Sequence, residues 1–496
     1  MSRGTKIPRY RYLTDEQCRL LHEGTCGLLE QVGIDVAHQG AARLLLDAGA
    51  NERAGRVCIP RHMVDAAIAG TAKRIELAAK DPESTVVLDP DNGPLVHFGT
   101  GGQALTVLEY VAGAFDKRPA RTEDLAAILR LCENLEHVDF ITRPVEPDVA
   151  EHEMDLVKTR VFMENTTRHM NLANLVRVEN LPAILDMVGD RGRVSFISCL
   201  LVSPLHMVDE TTEKFMRIVE AGVPVAVSSC CQAGTTAPLS ETGAIMQVNA
   251  EVLSAIVLGN MVRPGAKLLH RGLPITADLY GDGSPRWCQP DSIRRLACMA
   301  DLTCYYGIPC CGTAGVSDEP VPSAQTIAEK ALGITAELAA GAQFVNSALG
   351  LLDRIMTVCP EQYVIDNTII SLAKKHLTAG NRYDLVECAE SVVRDSLAAF
   401  GAPFDDDDAV ETAARAAYVV SAREDISSKS IDTQIETIGK AVCTGQSSTA
   451  FMRAARKGLR AGLLYNGSRL ESAIDLERLH GAYEMHRNQR SDVCAE

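Results

Sequence analysis

The stretch DETTEKFMRIVEAGVPVAVSS, residues 209–229, holds one complete unit of the pattern that decides the fold. Asp209 and Glu210 place acid where a helix begins, next to the partial positive charge of its free amides. Phe215, Ile218 and Val219 share one face, and Gly222 is the residue type that tolerates the left-handed cap ending such a helix. The apolar run 224–229 then reads as a strand closing on two serines.

The same alternation recurs through residues 95–377. Apolar runs at 95–101, 138–143, 168–172, 194–201, 224–229, 267–270, 308–312 and 342–347 end in Gly, Pro, Asn, Ser, His or Cys, and each precedes a segment of helical period. Gly265, Gly307 and Gly341 stand where Gly222 stands, between a helix and the next strand. Eight strand–helix units predict an α/β fold, a (β/α)8 TIM barrel, with its chemistry at the C-terminal ends of the strands.

A barrel of roughly 250 residues leaves much of the chain outside it. Leu20, Leu21, Leu28 and Leu29 recur at helical spacing over 14–30 with Gly33 as a stop, and 39–48 and 60–71 repeat the pattern. Residues 75–88 alternate as a strand does and run into the turn-rich 89–94, while 104–114 reads as a hairpin inserted after the first barrel strand. Beyond about 381, the Ala-rich amphipathic segments 383–400, 409–423 and 431–460 read as helices. The expected organisation is an N-terminal helical region with a small β excursion (1–92), the barrel (93–380) and a helical C-terminal extension (381–496).

A net charge of −16 and a pI near 5.3 argue against nucleic acid or an anionic membrane as partner, because phosphate binding needs concentrated Lys and Arg. No run approaches the roughly 18 apolar residues that span a bilayer, and the basic start 1–12 lacks the apolar core of a signal peptide. The expectation is a soluble, cytoplasmic protein. The sixteen Cys include no CxxC pair and read mostly as buried thiols. Cys230-Cys231 and Cys310-Cys311 each point to opposite faces of a strand, poor geometry for joint metal ligation, although a reactive thiol at a strand end stays open.

Three kinds of chemistry lack their equipment at the strand ends. The 99–104 segment matches G-x-G-x-x-A after a strand, but an extended run follows where a dinucleotide site needs a helix. His97, His169, His206, His270 and Asp278 have no HxH or HExxH spacing, so no bound metal is expected. Lys267 begins its strand and Lys330 lies within a helix, so a Schiff-base mechanism has no nucleophile at the mouth.

What remains is a polar rim: Asn171, Asn174, Ser228, Ser229, Gln232, His270, Arg271, Asn346 and Ser347, with His97 and Phe98 at the end of the first strand. Acid concentrates in one loop, Asp318 and Glu319, followed by Gln325 and Glu329 on the next helix. Such a rim suits a small zwitterion, its cation facing the carboxylates and its carboxylate facing Arg271 or Arg143.

These residues sit among segments that resemble the trimethylamine methyltransferase superfamily, specifically members without pyrrolysine such as the glycine betaine corrinoid methyltransferases. The likeness runs in order through LTDEQ (13–17), LLEQVGI (28–34), RPARTEDL (118–125), DFITRP (139–144), AGTTAP (233–238), NAEVL (249–253) and YGIP (306–309). It continues through Gln325 with EKA (329–331) and EQYVIDN (361–367). The resemblance implies a barrel that moves a methyl group from a small quaternary amine to the Co(I) of a corrinoid, a cobalamin carried by a separate cognate protein. This chain has no D-x-H-x-x-G corrinoid motif of its own. On this reading Asp318, Glu319 and Glu329 are catalytic, and His97, Phe98, Asn171, Asn174, Gln232, His270, Arg271, Gln325 and Asn346 bind substrate.

Two departures stand out: Ser323 replaces the Asp that relatives carry two residues before the Gln, and the Gly- and His-rich ending with a late Trp is absent after about 381. They leave open a different methyl donor or acceptor, or a non-catalytic betaine-binding barrel. A homo-oligomer is expected.

Overall fold

A computed structural model describes residues 4–6, 9–90, 95–102, 104–111, 114–378 and 428–443. Three helices open the chain, α1 (Asp15–Gln31), α2 (Gln39–Asp47) and α3 (Arg61–Gly70). Thr14 caps α1 with a capping box: its side chain accepts from the Gln17 amide, and Gln17 accepts from the Thr14 amide. Strands β1 (Ile75–Leu77) and β2 (Val86–Leu88) form an antiparallel hairpin.

The alternating region follows the sequence reading closely. In chain order it comprises β3 (Leu95–Phe98), the hairpin β4 (Thr106–Val111) and β5 (Ala114–Pro119), α4 (Thr122–Glu133), β6 (Phe140–Thr142) and α5 (Glu151–Asn165). Next come β7 (His169–Asn171), α6 (Leu181–Val188), β8 (Val194–Ser198), α7 (Asp209–Glu220), β9 (Val225–Ala233) and α8 (Glu241–Val262). The series closes with β10 (Leu268–Ala277), α9 (Pro290–Tyr306), α10 (Ala324–Ala340), β11 (Phe344–Val345), the short pair β12 (Leu351–Leu352) and β13 (Thr357–Val358), and α11 (Pro360–Thr378). Gly222, Gly265, Gly307 and Gly341 all have positive φ, the left-handed conformation expected after each helix.

The sheet is parallel and curled. Strands β6 to β10 pair side by side in register, and β3 meets β6 through a parallel bridge between Gly99 and Phe140. The expected run 308–312 is represented by a parallel bridge between Cys310 and His270, and Thr313 bridges Asn346. β11 then pairs in parallel with β3, Phe344 beside His97, so the eighth run lies against the first. Structurally this is a mixed α/β protein whose parallel sheet curls as a barrel requires.

Core packing fixes which end is closed. Ile75, Leu77, Val86 and Leu88 of the β1–β2 hairpin cluster with Phe140, Ile197, Ala226, Leu269, Cys311 and Phe344, one residue from each of six runs. The hairpin therefore plugs the sheet at its N-terminal end, and the opposite end is left to the βα loops. There β12, β13, β4 and β5 form a separate four-stranded sheet beside the opening.

One expectation about hydropathy needs correction. Helix α8 is 22 residues long, and its most apolar 18-residue window, with mean hydropathy 1.4, reaches the length and apolarity of a bilayer span. It packs against α1, α3, β9 and β10, and 83% of that window is buried. It is largely apolar because it is enclosed by protein, and its buried polar residues, among them Gln247, Asn249 and Glu251, are hydrogen-bonded. Of the expected C-terminal helices, most lies outside the described residues. Within them, α12 (Ser428–Cys443) rests on α1 and α8, with Ile431, Ile435 and Ile438 buried and Ile431 against Gly24.

Candidate active site

Side chains alternate across a strand, so the residue two places beyond each plug contact faces the same interior. That step leads from the apolar layer to Thr142, Cys199, Ser228, Arg271, Thr313 and Asn346, a polar layer nearer the loop end. Arg271 is its centre. Its Nη1 donates to Ser228 Oγ at 2.8 Å and its Nη2 to Thr313 Oγ1 at 3.0 Å, while Nε has no partner. The residue is 8% exposed, and among the described residues no carboxylate is ion-paired with it.

Other groups in the layer are also uncommitted. Asn346 Oδ1 and Thr142 Oγ1 are buried without hydrogen-bond partners. A side chain at Gly101 would run into Asn346 and Ser347, so glycine keeps this side of the interior open. Cys199 and Cys230 are reached by solvent from the open end. Dense surroundings nevertheless push the Cys230 thiol up to about 12, with the charge of Arg271 pulling the other way. Arg143, the other expected anchor, is fully buried and already engaged: it pairs with Glu146 at 2.9 Å and donates to Asn174 Oδ1 at 2.8 Å.

The acidic loop is bonded to itself. Glu329 accepts from Ser317 Oγ (2.6 Å), Gln325 Nε2 (2.8 Å) and the Asp318 amide (3.0 Å). Asp318 Oδ1 accepts from the Trp287 amide at 3.0 Å, tying this loop to the one after β10. Burial, and then the charge of Glu329, raise the Asp318 carboxyl to about 7. Half-buried Glu319 donates its amide to Ser317 Oγ at 3.1 Å and accepts from the Asp353 amide at 2.7 Å. Lys330 does not pair with Glu329; fully buried, it bonds Asp366 at 2.9 Å and the Gly315 carbonyl.

Four residues expected at the rim lie elsewhere. His97 is buried at the plugged end, its ring against Gly4 and neither ring nitrogen hydrogen-bonded, because the first strand continues past it to Gly99. Phe98 points outward into the helix layer, where Lys374 Nζ stands 5.3 Å from its ring centroid. His270 also points outward, bonding Asn249 on α8 at 3.0 Å, and burial lowers its pKa to about 3. Ser229 shares that outward parity and donates to buried Glu251. Asn171 spans to Ser195 Oγ at 2.9 Å and accepts from the Ala173 amide, while half-buried Gln232 opens the turn after β9.

The sequence reading missed Glu337, and it placed Trp287 near the mouth only as an aromatic. Both oxygens of Glu337 and the indole nitrogen of Trp287 are buried without partners, and they line a cavity of about 20 Å3 with Thr313, Gly315 and Glu329. Burial raises the Glu337 carboxyl to about 8. The available signal was a Glu with no Lys or Arg within four positions of it on α10.

The chain is similar to known proteins over most of its length. The trimethylamine methyltransferase (MTTB) family matches residues 3–404. A trimethylamine methyltransferase of Methanosarcina barkeri is 30% identical over 376 residues, covering 73% of this chain and 75% of its own. A glycine betaine methyltransferase of Desulfitobacterium hafniense (strain Y51) is 25% identical over 409 residues, covering 77% and 82%. A solved monomethylamine methyltransferase of Methanosarcina barkeri aligns with a TM-score of 0.46 at 10% identity, over 80% of this chain and 87% of its own. By the extent of the family match and the identity to its relatives, the chain belongs to the trimethylamine methyltransferase family.

Proposed function

We propose that this protein takes a methyl group from a small quaternary amine bearing a carboxylate, a betaine-like compound, and passes it to the Co(I) of a corrinoid on a separate protein. Family membership supports methyl transfer, and the relative named glycine betaine methyltransferase supports the betaine side. The observation that carries the substrate class is Arg271, a buried guanidinium held by two hydroxyls and left without a counter-charge. Buried charges are ordinarily paired, and a planar fork of donors suits a carboxylate. We read the curled sheet as a (β/α)8 barrel spanning 93–380, flanked by the 1–92 region and the 381–496 extension.

The reaction asks little of the protein in acid–base terms. The carbon–nitrogen bond breaks with its electron pair on nitrogen, and the leaving group is a neutral tertiary amine that needs no proton. The corrinoid supplies the nucleophile that receives the methyl group. The chain's work is to orient and to keep the donor dry. Arg271, Ser228 and Asn346 hold the carboxylate in the interior, which leaves the N-methyl groups directed to the open end. Asn171, Gln232 and Gln325 complete the polar wall, and the Asp318–Glu319–Glu329 loop biases the potential in favour of the cation. Leu105, Tyr110, Val111, Val202, Tyr280 and Met356, all exposed, follow the C-terminal ends of strands and form a rim suited to a protein partner.

The test is incubation with glycine betaine and Co(I) cobalamin as the acceptor. Dimethylglycine should appear in step with methylation of the cobalamin. Tight binding of glycine betaine by calorimetry with no dimethylglycine formed would reduce the protein to a binding barrel.

A further inference from the structure

The strand ends carry no metal motif, yet a convergent set of donors stands outside them, in the N-terminal helices. His22 and Cys26 are one turn apart on α1, which puts both on one face. Asp65, on α3, reaches the same point. One donor atom from each, a ring nitrogen, Sγ and a carboxylate oxygen, lie within 4.8 Å of one another. The individual separations are 2.9 Å from His22 Nε2 to Asp65 Oδ1 and 3.6 Å from His22 Nε2 to Cys26 Sγ.

A nucleophile–base–carboxylate relay does not explain this arrangement. In such a relay the thiol and the carboxylate use opposite ring nitrogens, whereas here both stand closest to Nε2. Metal coordination does explain it. Tetrahedral zinc with bonds of about 2.3 Å to sulfur and about 2.0–2.2 Å to nitrogen and oxygen has ligand-to-ligand edges of about 3.4–3.6 Å. The Cys–His separation already matches, and the Asp–His contact needs to open by about half an ångström. Asp65 is free to move that far because its side chain is half exposed.

The surroundings fit as well. Tyr306 packs edge-on to the His22 ring at 5.3 Å and fixes its plane. Arg61 Nε holds Asp65 Oδ2 at 3.3 Å, which leaves Oδ1 turned to the cluster. His22 and Cys26 are buried while Asp65 opens to solvent, so an ion has a route in and a water can take the fourth position.

We infer that His22, Cys26 and Asp65 form a binding site for a borderline divalent cation, zinc foremost, that clasps α1 to α3. The thiolate and imidazole donors select against magnesium and calcium. On binding, the Cys26 S–H proton is released to solvent and the metal–sulfur bond replaces it. The site is independent of the methyl-transfer reading, since neither helix contributes to the interior around Arg271.

Metal-stripped full-length protein titrated with Co(II) provides the test, read by absorption spectroscopy. One equivalent should produce a thiolate-to-cobalt charge-transfer band together with the visible bands of a tetrahedral ion, and Zn(II) should abolish both. Cys26→Ser should lose the charge-transfer band, and Asp65→Asn, a surface change that leaves the fold intact, should weaken binding at least about tenfold. Absence of the band in the wild type, its persistence in Cys26→Ser, or unchanged affinity in Asp65→Asn would each overturn the site.

Discussion

Ser228 and Arg271 are register partners on neighbouring parallel strands, and the 2.8 Å bond from Nη1 to Oγ fixes the guanidinium across the interior of the sheet. Thr313 holds the other side at 3.0 Å. Two neutral hydroxyls orient this charge without neutralising it. Removing an ion from water costs several kcal/mol when no counter-ion repays it, so the arrangement makes physical sense for a group awaiting an anionic ligand.

The Asp318 carboxyl, raised to about 7, gives stability a pH signature. Its pKa in the unfolded chain is about 3.9, so the folded value is the higher one. The contribution to stability is then fully present below about pH 4 and is lost as the pH rises toward about 7, at up to about 1.4 kcal/mol per pH unit. Asp318→Asn should flatten that part of the curve. Urea midpoints measured from pH 4 to 8 check it, and identical slopes in the two proteins would mean that the carboxyl titrates normally.

Glu329 gathers Ser317, Gln325 and the Asp318 amide onto one carboxylate. Glu329→Ala leaves those donors without their acceptor, and a hydrogen bond to a charged group is worth about 1.5–3 kcal/mol. Amide exchange at Ser317, Asp318 and Glu319 should quicken while exchange in β9 and β10 does not change. Turnover should fall more than global stability; equal losses in both would make Glu329 a purely structural residue.

Lys330 and Asp366 form a fully buried ion pair at 2.9 Å, with the Gly350 amide donating to the same Asp366 oxygen at 2.7 Å. Lys330→Met strands the carboxylate and should destabilise the protein by about 3–5 kcal/mol. Combining it with Asp366→Leu should recover much of that loss. Thermal denaturation of the single and double variants reads it, and a wild-type-like single variant would show that the pair carries no structural weight.

The course of the sheet was legible in the sequence because its signals are local. Apolar runs, helical faces such as Phe215, Ile218 and Val219, and the positive-φ glycines at 222, 265, 307 and 341 each mark a boundary that needs no long-range information. Which way each rim side chain points was not legible. His270 and Arg271 are adjacent, and the run Leu268-Leu269-His270-Arg271 does not alternate in polarity, so its inward face is decided by Leu269 meeting the plug hairpin. His97 failed for a related reason: pairing with Phe140 carries the first strand on to Gly99 and leaves His97 at the closed end. Neither contact is written in the local pattern.

The central claim is that Arg271 reads the carboxylate of the methyl donor. It is tested most directly by kcat/KM of wild type and Arg271→Ala on two donors, glycine betaine and tetramethylammonium, with Co(I) cobalamin as acceptor. Removing one partner of a buried charge pair costs about 2–5 kcal/mol, so glycine betaine should lose about thirtyfold or more while tetramethylammonium changes little. Equal losses on both donors would contradict the assignment.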